Sequence, residues 1–124
     1  MQKRIKNLRG YKMKVYGIKT CGSVKKALKF FKDRGIEYEF IDFKKQSVDE
    51  QKIAQWLEEV ELSKLFNSRG TKYRMLKLKE LNLDDAGKKS WLAKENMLIK
   101  RPVIEYGKNV VVGFDEQLYT KIFS

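Results

Sequence analysis

The chain has one cysteine, Cys21, and no histidine. Those two facts bound the chemistry within reach. Ser-His-Asp triads, Cys-His dyads and the helical zinc-protease motif all need an imidazole, and a zinc finger needs four Cys or His ligands. The expectation is therefore no metal site and no zinc. A lone cysteine cannot close an internal disulfide, which fits a reducing, cytoplasmic setting, yet its thiolate can still attack a disulfide or an oxidised or oxyanionic centre on another molecule. Cys21 follows Gly17-Ile18-Lys19-Thr20 and precedes Gly22-Ser23 at the start of a helix-patterned run. The positive end of a helix and nearby lysines both favour thiolate over thiol. A small, inert, buried thiol is the alternative for the same residue. Polar neighbours and the helix start favour reactivity.

Other residues carry weaker signals. Arg101-Pro102 stands ahead of a strand-like run and holds the only proline in the chain, which by position alone reads as an ordinary trans proline at a strand start. Arg69, Lys72 and Arg74 fall in a stretch, residues 67–74, that lacks an apolar period and reads as an exposed loop. Trp56 and Trp91 sit on helical apolar faces and read as core.

Charge narrows the partner without choosing it. Lys and Arg total 28 against 16 Asp and Glu, a formal +12 with pI ≈ 9.8. An anionic partner is implied, and nucleic acid, an acidic protein surface, a small oxyanion and an anionic thiol all qualify. Lys3, Arg4, Lys6, Arg9, Lys12 and Lys14 carry half of that net charge with no acid among them, so residues 1–12 read as a basic extension. No apolar run approaches the ~20 residues of a membrane helix, and no membrane partner is expected.

The elements that must position Cys21 are legible from pattern. Met13 to Ile18 reads as a strand. Val24, Ala27, Leu28 and Phe31 follow at i, i+3, i+4, i+7, giving an amphipathic helix that Gly35 ends. Ile36 to Phe43 alternates as a second strand. Ser47 and Glu50 have capping-box spacing ahead of a helix with Ile53, Trp56, Leu57 and Val60. Leu62, Leu65 and Phe66 make a further turn, and Asp84 or Asp85 opens a helix that runs to about Asn96. Val103 to Tyr106 and Val110 to Val112 flank a Gly107-Lys108-Asn109 turn as a hairpin, and Asp115 caps a last helix with Leu118, Ile122 and Phe123. The order β-α-β, helices, β-β-α is that of an α/β, thioredoxin-like (glutaredoxin-like) mixed sheet with an inserted helical subdomain at about residues 47–98. The whole reads as a single domain over residues 13–124.

On these residues the chain resembles the ArsC/Spx family, and its YffB-like branch in particular. The likeness is carried by Val15-Tyr16-Gly17-Ile18-Lys19-Thr20-Cys21, Val24-Lys25-Lys26-Ala27, Asn67-Ser68-Arg69-Gly70-Thr71, Ile99-Lys100-Arg101-Pro102-Val103-Ile104 and Val112-Gly113-Phe114. The resemblance implies a thioredoxin-like fold in which Cys21 is the nucleophile, Arg101 binds an anion beside its sulfur, and Pro102 is a cis-proline facing it. Arg69 matches a recurrent basic residue of the loop, offset by about two positions. Gly113 stands where arsenate reductases of the family resemble one another in carrying a third arginine, so little or no arsenate turnover is implied. Spx-type regulators use a Cys-x-x-Cys switch, and the second position here is Val24.

The function expected from the sequence is an ArsC-like thiol oxidoreductase with a single cysteine, resolved by an external thiol. Glutathione, itself anionic, suits a basic site and acts as co-substrate, with no tightly bound cofactor. Arg101, Arg69 and the backbone N–H groups of Gly22 and Ser23 would hold negative charge beside the sulfur. The alternative is a non-enzymatic, Spx-type regulator that binds RNA polymerase or another acidic protein surface, and a direct nucleic-acid binder is a third.

Overall fold

The computed structural model describes residues 13–123; the basic extension expected over residues 1–12 lies outside the described residues. In chain order they form β1 (Lys14–Gly17), α1 (Gly22–Asp33), β2 (Glu39–Asp42), α2 (Glu50–Leu57), α3 (Leu62–Leu65), α4 (Thr71–Met75), α5 (Asp85–Lys94), β3 (Val103–Tyr106), β4 (Asn109–Val112) and α6 (Glu116–Phe123). Short 3-10 turns cover Leu78–Leu81 and Asn96–Leu98. The chain divides into two compact units: a sheet unit, up to Asp42 and again from Arg101 on, and a helical unit, Phe43–Lys100. Among the described residues no helix is long and apolar enough to cross a membrane.

The strands of the sheet unit lie in the order β2-β1-β3-β4. β1 runs parallel to β2 and antiparallel to β3, and β3 pairs with β4 as a hairpin. A parallel β1–β2 pair needs a crossover, and α1 supplies it. This mixed sheet, with a helix after β1 and a second after the hairpin, is a thioredoxin-like fold.

Alternation along the strands turns Val15, Ile104 and Val111 to one face, where they meet Ala27, Phe30 and Phe31 of α1 and Tyr119 and Phe123 of α6. Aromatic rings fill this core. Phe31 stacks on Tyr119 with centroids 5.7 Å apart and meets Phe123 edge-on at 5.1 Å, while Phe30 meets Tyr119 at 5.4 Å. The buried Tyr119 hydroxyl donates to the Gly113 carbonyl at 2.6 Å, so its one polar group is satisfied. α1 ends in a Schellman turn. Gly35 takes φ +67°, its N–H donates to the Lys32 carbonyl at 3.1 Å, and the Ile36 N–H reaches the Phe31 carbonyl at 2.9 Å.

Several details correct the sequence-based expectation. β2 is shorter than Ile36 to Phe43, because the Schellman turn holds Ile36 beside the helix end. In α6 the inward residues are Tyr119 and Phe123, and Leu118 is 41% exposed. Asp115 Oδ1 accepts the Leu118 N–H at 3.2 Å, which sets the helix phase and turns position 118 about 100° from position 119.

In the helical unit the cap of α2 is Asp49, whose Oδ1 accepts the Lys52 N–H at 3.0 Å, and not Ser47. Both residue types cap helices, and the one adjacent to the first helical residue wins. Trp56 is buried as expected, whereas Trp91 is half-buried with the Lys94 ammonium 4.7 Å from its ring centroid. Residues expected as loop at 71–74 belong to α4, which is too short to show a period. Buried Asn96 ties this unit together. Its Oδ1 accepts the Val48 N–H at 2.7 Å, and its Nδ2 donates to the Val48 and Leu92 carbonyls at 3.2 and 2.9 Å.

Candidate active site at the start of the first helix

Cys21 is the N-cap residue of α1, with extended backbone angles of φ −79° and ψ 128°. Its own N–H closes a turn on the Ile18 carbonyl at 3.3 Å, and its carbonyl accepts the Lys25 N–H at 3.0 Å, the first bond of the helix. A helix leaves its first N–H groups without intrahelical acceptors, and those two and three places after the cap face the cap side chain. Here they belong to Ser23 and Val24. The sulfur makes no close cap hydrogen bond of the kind Asp49 makes to α2; a larger, softer acceptor sits farther off. The donors still act on its charge.

The thiol is half-buried, and Lys19, Thr20, Gly22 and Ser23 around it are exposed. Partial burial pushes the Cys21 thiol up. The Val24 N–H, the Arg101 guanidinium and the Ser23 N–H act against burial as donors, and with the Arg101 charge they bring the thiol below its ordinary value. The thiolate is thus more favoured than in a free cysteine, at a place solvent can reach.

Arg101 and Pro102 come from the other end of the sheet unit. The Arg101–Pro102 peptide bond is cis, as the resemblance implies, and Pro102 is buried. The Pro102 carbonyl accepts the Gly113 N–H at 2.8 Å, which ties the turn before β3 to the residue after β4. Gly113 itself has φ +84°, a left-handed conformation that a side chain disfavours. The absent arginine at this position therefore goes with a backbone that suits glycine.

Of the residues expected to act together, the structure places Cys21, Ser23 and Arg101 at one sulfur. Gly22 is the first residue of α1, and its N–H is one place too early for the cap geometry. Val24, which residue types alone did not single out, takes that role; the capping rule applied to Cys21 is the signal that could have found it. Arg69 lies in the helical unit, exposed in the turn before α4, where its N–H donates to Asn67 Oδ1 at 3.1 Å and its carbonyl accepts from Arg74 Nη1 at 2.8 Å. Tyr16 is no candidate base. Burial, with Glu105 beside it, pushes its hydroxyl far up, and that hydroxyl donates to Glu105 Oε1 at 3.2 Å. Among the described residues no group of three or more Cys, Asp or Glu side chains is placed to hold a metal ion.

A thioredoxin-like sheet with a thiol at the start of its first helix and an arginine at its sulfur defines a class of thiol-reactive proteins. The sequence comparison makes the class specific: a model of the ArsC family matches residues 16–122, and the chain belongs to that family. An uncharacterized protein of Haemophilus influenzae is 37% identical over 111 residues, which cover 89% of this chain and 97% of that protein. Among solved structures, the YffB protein superposes with a TM-score of 0.83 at 30% identity, covering 90% of this chain and 99% of its own. An arsenate reductase (ArsC) related protein from Brucella melitensis gives a TM-score of 0.70 at 34% identity, covering 87% of this chain and 91% of its own.

Proposed function

We propose that the protein is a glutathione-dependent thiol oxidoreductase that works through one cysteine. The observation that carries this reading is the convergence on the Cys21 sulfur of the Val24 and Ser23 N–H groups with the Arg101 guanidinium, in a half-exposed position. Family membership supports the same chemistry.

In the proposed reaction the Cys21 thiolate attacks one sulfur of a disulfide. A new S–S bond forms to Cys21 as the old one breaks, and the other sulfur leaves as a thiolate. The thiolate of glutathione then attacks the mixed disulfide, releases Cys21 as thiolate and takes its place in a disulfide. No second cysteine is available within the chain, so the resolving thiol must come from outside. Arg101 and the two N–H groups stabilise negative charge on the sulfur before attack and as it leaves again. The proposed machinery is confined to the sheet unit, and its setting is a reducing compartment, the cytoplasm, where glutathione is kept as a thiol.

Incubation with oxidised glutathione followed by intact-mass measurement tests this directly. The expected spectrum shows one glutathionyl group per chain, removed by excess reduced glutathione and absent from Cys21→Ser. A spectrum without the adduct, from folded protein, would support the alternative of a non-enzymatic regulator that binds an acidic protein surface, which can lose Cys21.

A further inference from the structure

β1 ends on Gly17, and the first turn of α1 packs back against it. A Cβ at position 17 would stand 2.7 Å from Cγ2 of Val24, with Cγ1 at 3.5 Å and Cβ at 3.7 Å. Carbon atoms pack at about 3.5–4.0 Å, so one of the two residues must give by about 1 Å. Val24 cannot easily swing aside. It is fully buried, and a β-branched side chain in a helix has essentially one χ1 well. The movement must pass to the backbone of the first turn. Gly17 has no left-handed backbone angle, so the requirement there is for space and not for conformational freedom.

Val24 is the third residue after Cys21, where the N–H lacks an intrahelical acceptor and faces the cap side chain. We propose that Gly17 is a positioning residue for Cys21: the missing side chain lets Val24 seat against the end of β1 and so holds the Val24 N–H toward the sulfur. The proposal rests on the reading of Cys21 as the nucleophile. In this account Gly17 acts through Val24. The reach of that N–H matters because its hydrogen bond is the largest of those that favour thiolate at Cys21.

The test is the pH profile of iodoacetamide alkylation in four proteins: the wild type, Gly17→Ala, Val24→Ala and the double variant, each checked by circular dichroism for a folded state. Gly17→Ala is expected to alkylate roughly threefold to tenfold more slowly at pH 7, from partial loss of one hydrogen bond to a charged acceptor. Val24→Ala keeps its N–H but lacks the Cγ atoms that a methyl at position 17 would strike, and its measured profile is the reference against which the double variant is read. The double variant lacks both Cγ atoms that the added methyl would strike, and its profile should return to that of Val24→Ala.

Wild-type kinetics in folded Gly17→Ala would overturn the proposal, and so would a double variant clearly slower than Val24→Ala. If Gly17→Ala does not fold, the double variant decides: a profile like that of Val24→Ala supports the role of space at position 17, and a slow one overturns it. A wild-type midpoint at or above ~8.5, the free-cysteine value, would remove the nucleophile reading and this proposal with it. An unchanged Gly17→Ala beside a depressed wild-type midpoint overturns the positioning role alone.

Discussion

Arg101→Ala is expected to slow the reaction of Cys21 with oxidised glutathione by about tenfold at neutral pH. The guanidinium favours the thiolate both as a hydrogen-bond donor and as a charge. A hydrogen bond to a charged group is worth about 1.5–3 kcal/mol, and exposure of the site argues for the lower end, because solvent screens charge. Each ~1.4 kcal/mol is a factor of ten in thiolate population. Arg101→Lys should fall between the two, since an ammonium keeps the charge and loses the planar fork. The same contact links stability to pH. With the folded-state thiol below its unfolded value, the folded protein binds fewer protons in the interval between them. Stability therefore rises with pH through that interval, is fully present above about 8.5, and is lost as pH falls through the folded-state value. Arg101→Ala should flatten this dependence. Stopped-flow exchange with glutathione and urea titrations between pH 6 and 9 measure the two effects; a rate within about twofold of wild type would remove Arg101 from the proposed machinery.

Phe31→Ala is expected to cost about 3–5 kcal/mol, the range for deleting a buried phenyl group. Phe31 is fully buried at the centre of the sheet unit, with Tyr119 stacked on it and the edges of Phe30 and Phe123 against it. These aromatic neighbours, with Tyr38 also 5.9 Å from the Phe31 centroid, cannot collapse into the void without leaving their own packing. Domains of this size hold about 5–15 kcal/mol in all, so a large share of the margin goes. Urea unfolding with the slope unchanged would report the loss as a shift in midpoint. A change below about 1 kcal/mol would mean that the ring cluster repacks freely, unlike a close-packed core.

The fold was legible because its signals are local. The i, i+3, i+4, i+7 spacing of Val24, Ala27, Leu28 and Phe31 defines the crossover helix, and Gly35 marks its end. The hairpin from Val103 to Val112 announces itself by its turn. What was not legible depends on one-residue phase or on contacts far apart in sequence. Ser47 and Asp49 both offer capping oxygens, and only the helix start decides between them. α6 turns Tyr119 inward and Leu118 outward on a phase that Asp115 fixes in space. α4 is too short for its residues to repeat a period.

The site divides along the same line. Cys21 stood out because it is the only cysteine and precedes a helix, and Arg101 and Pro102 stood out through resemblance. The N–H groups of Ser23 and Val24 carry no signature in residue type, since every non-proline residue has one. Gly113 reads in the sequence as a missing cation, while in the structure it answers a backbone angle of +84°. Gly17 reads as one more residue at the end of a strand until Val24 is seen against it.

The central claim is that Cys21 is a thiolate poised to react, and the rate of its alkylation by iodoacetamide as a function of pH, with Cys21→Ser as blank, tests it most directly. The account predicts a single titration with a midpoint clearly below ~8.5, the value for a free cysteine. A midpoint at or above that value, in folded protein, would contradict it, and Cys21 would be an inert thiol at the head of a helix.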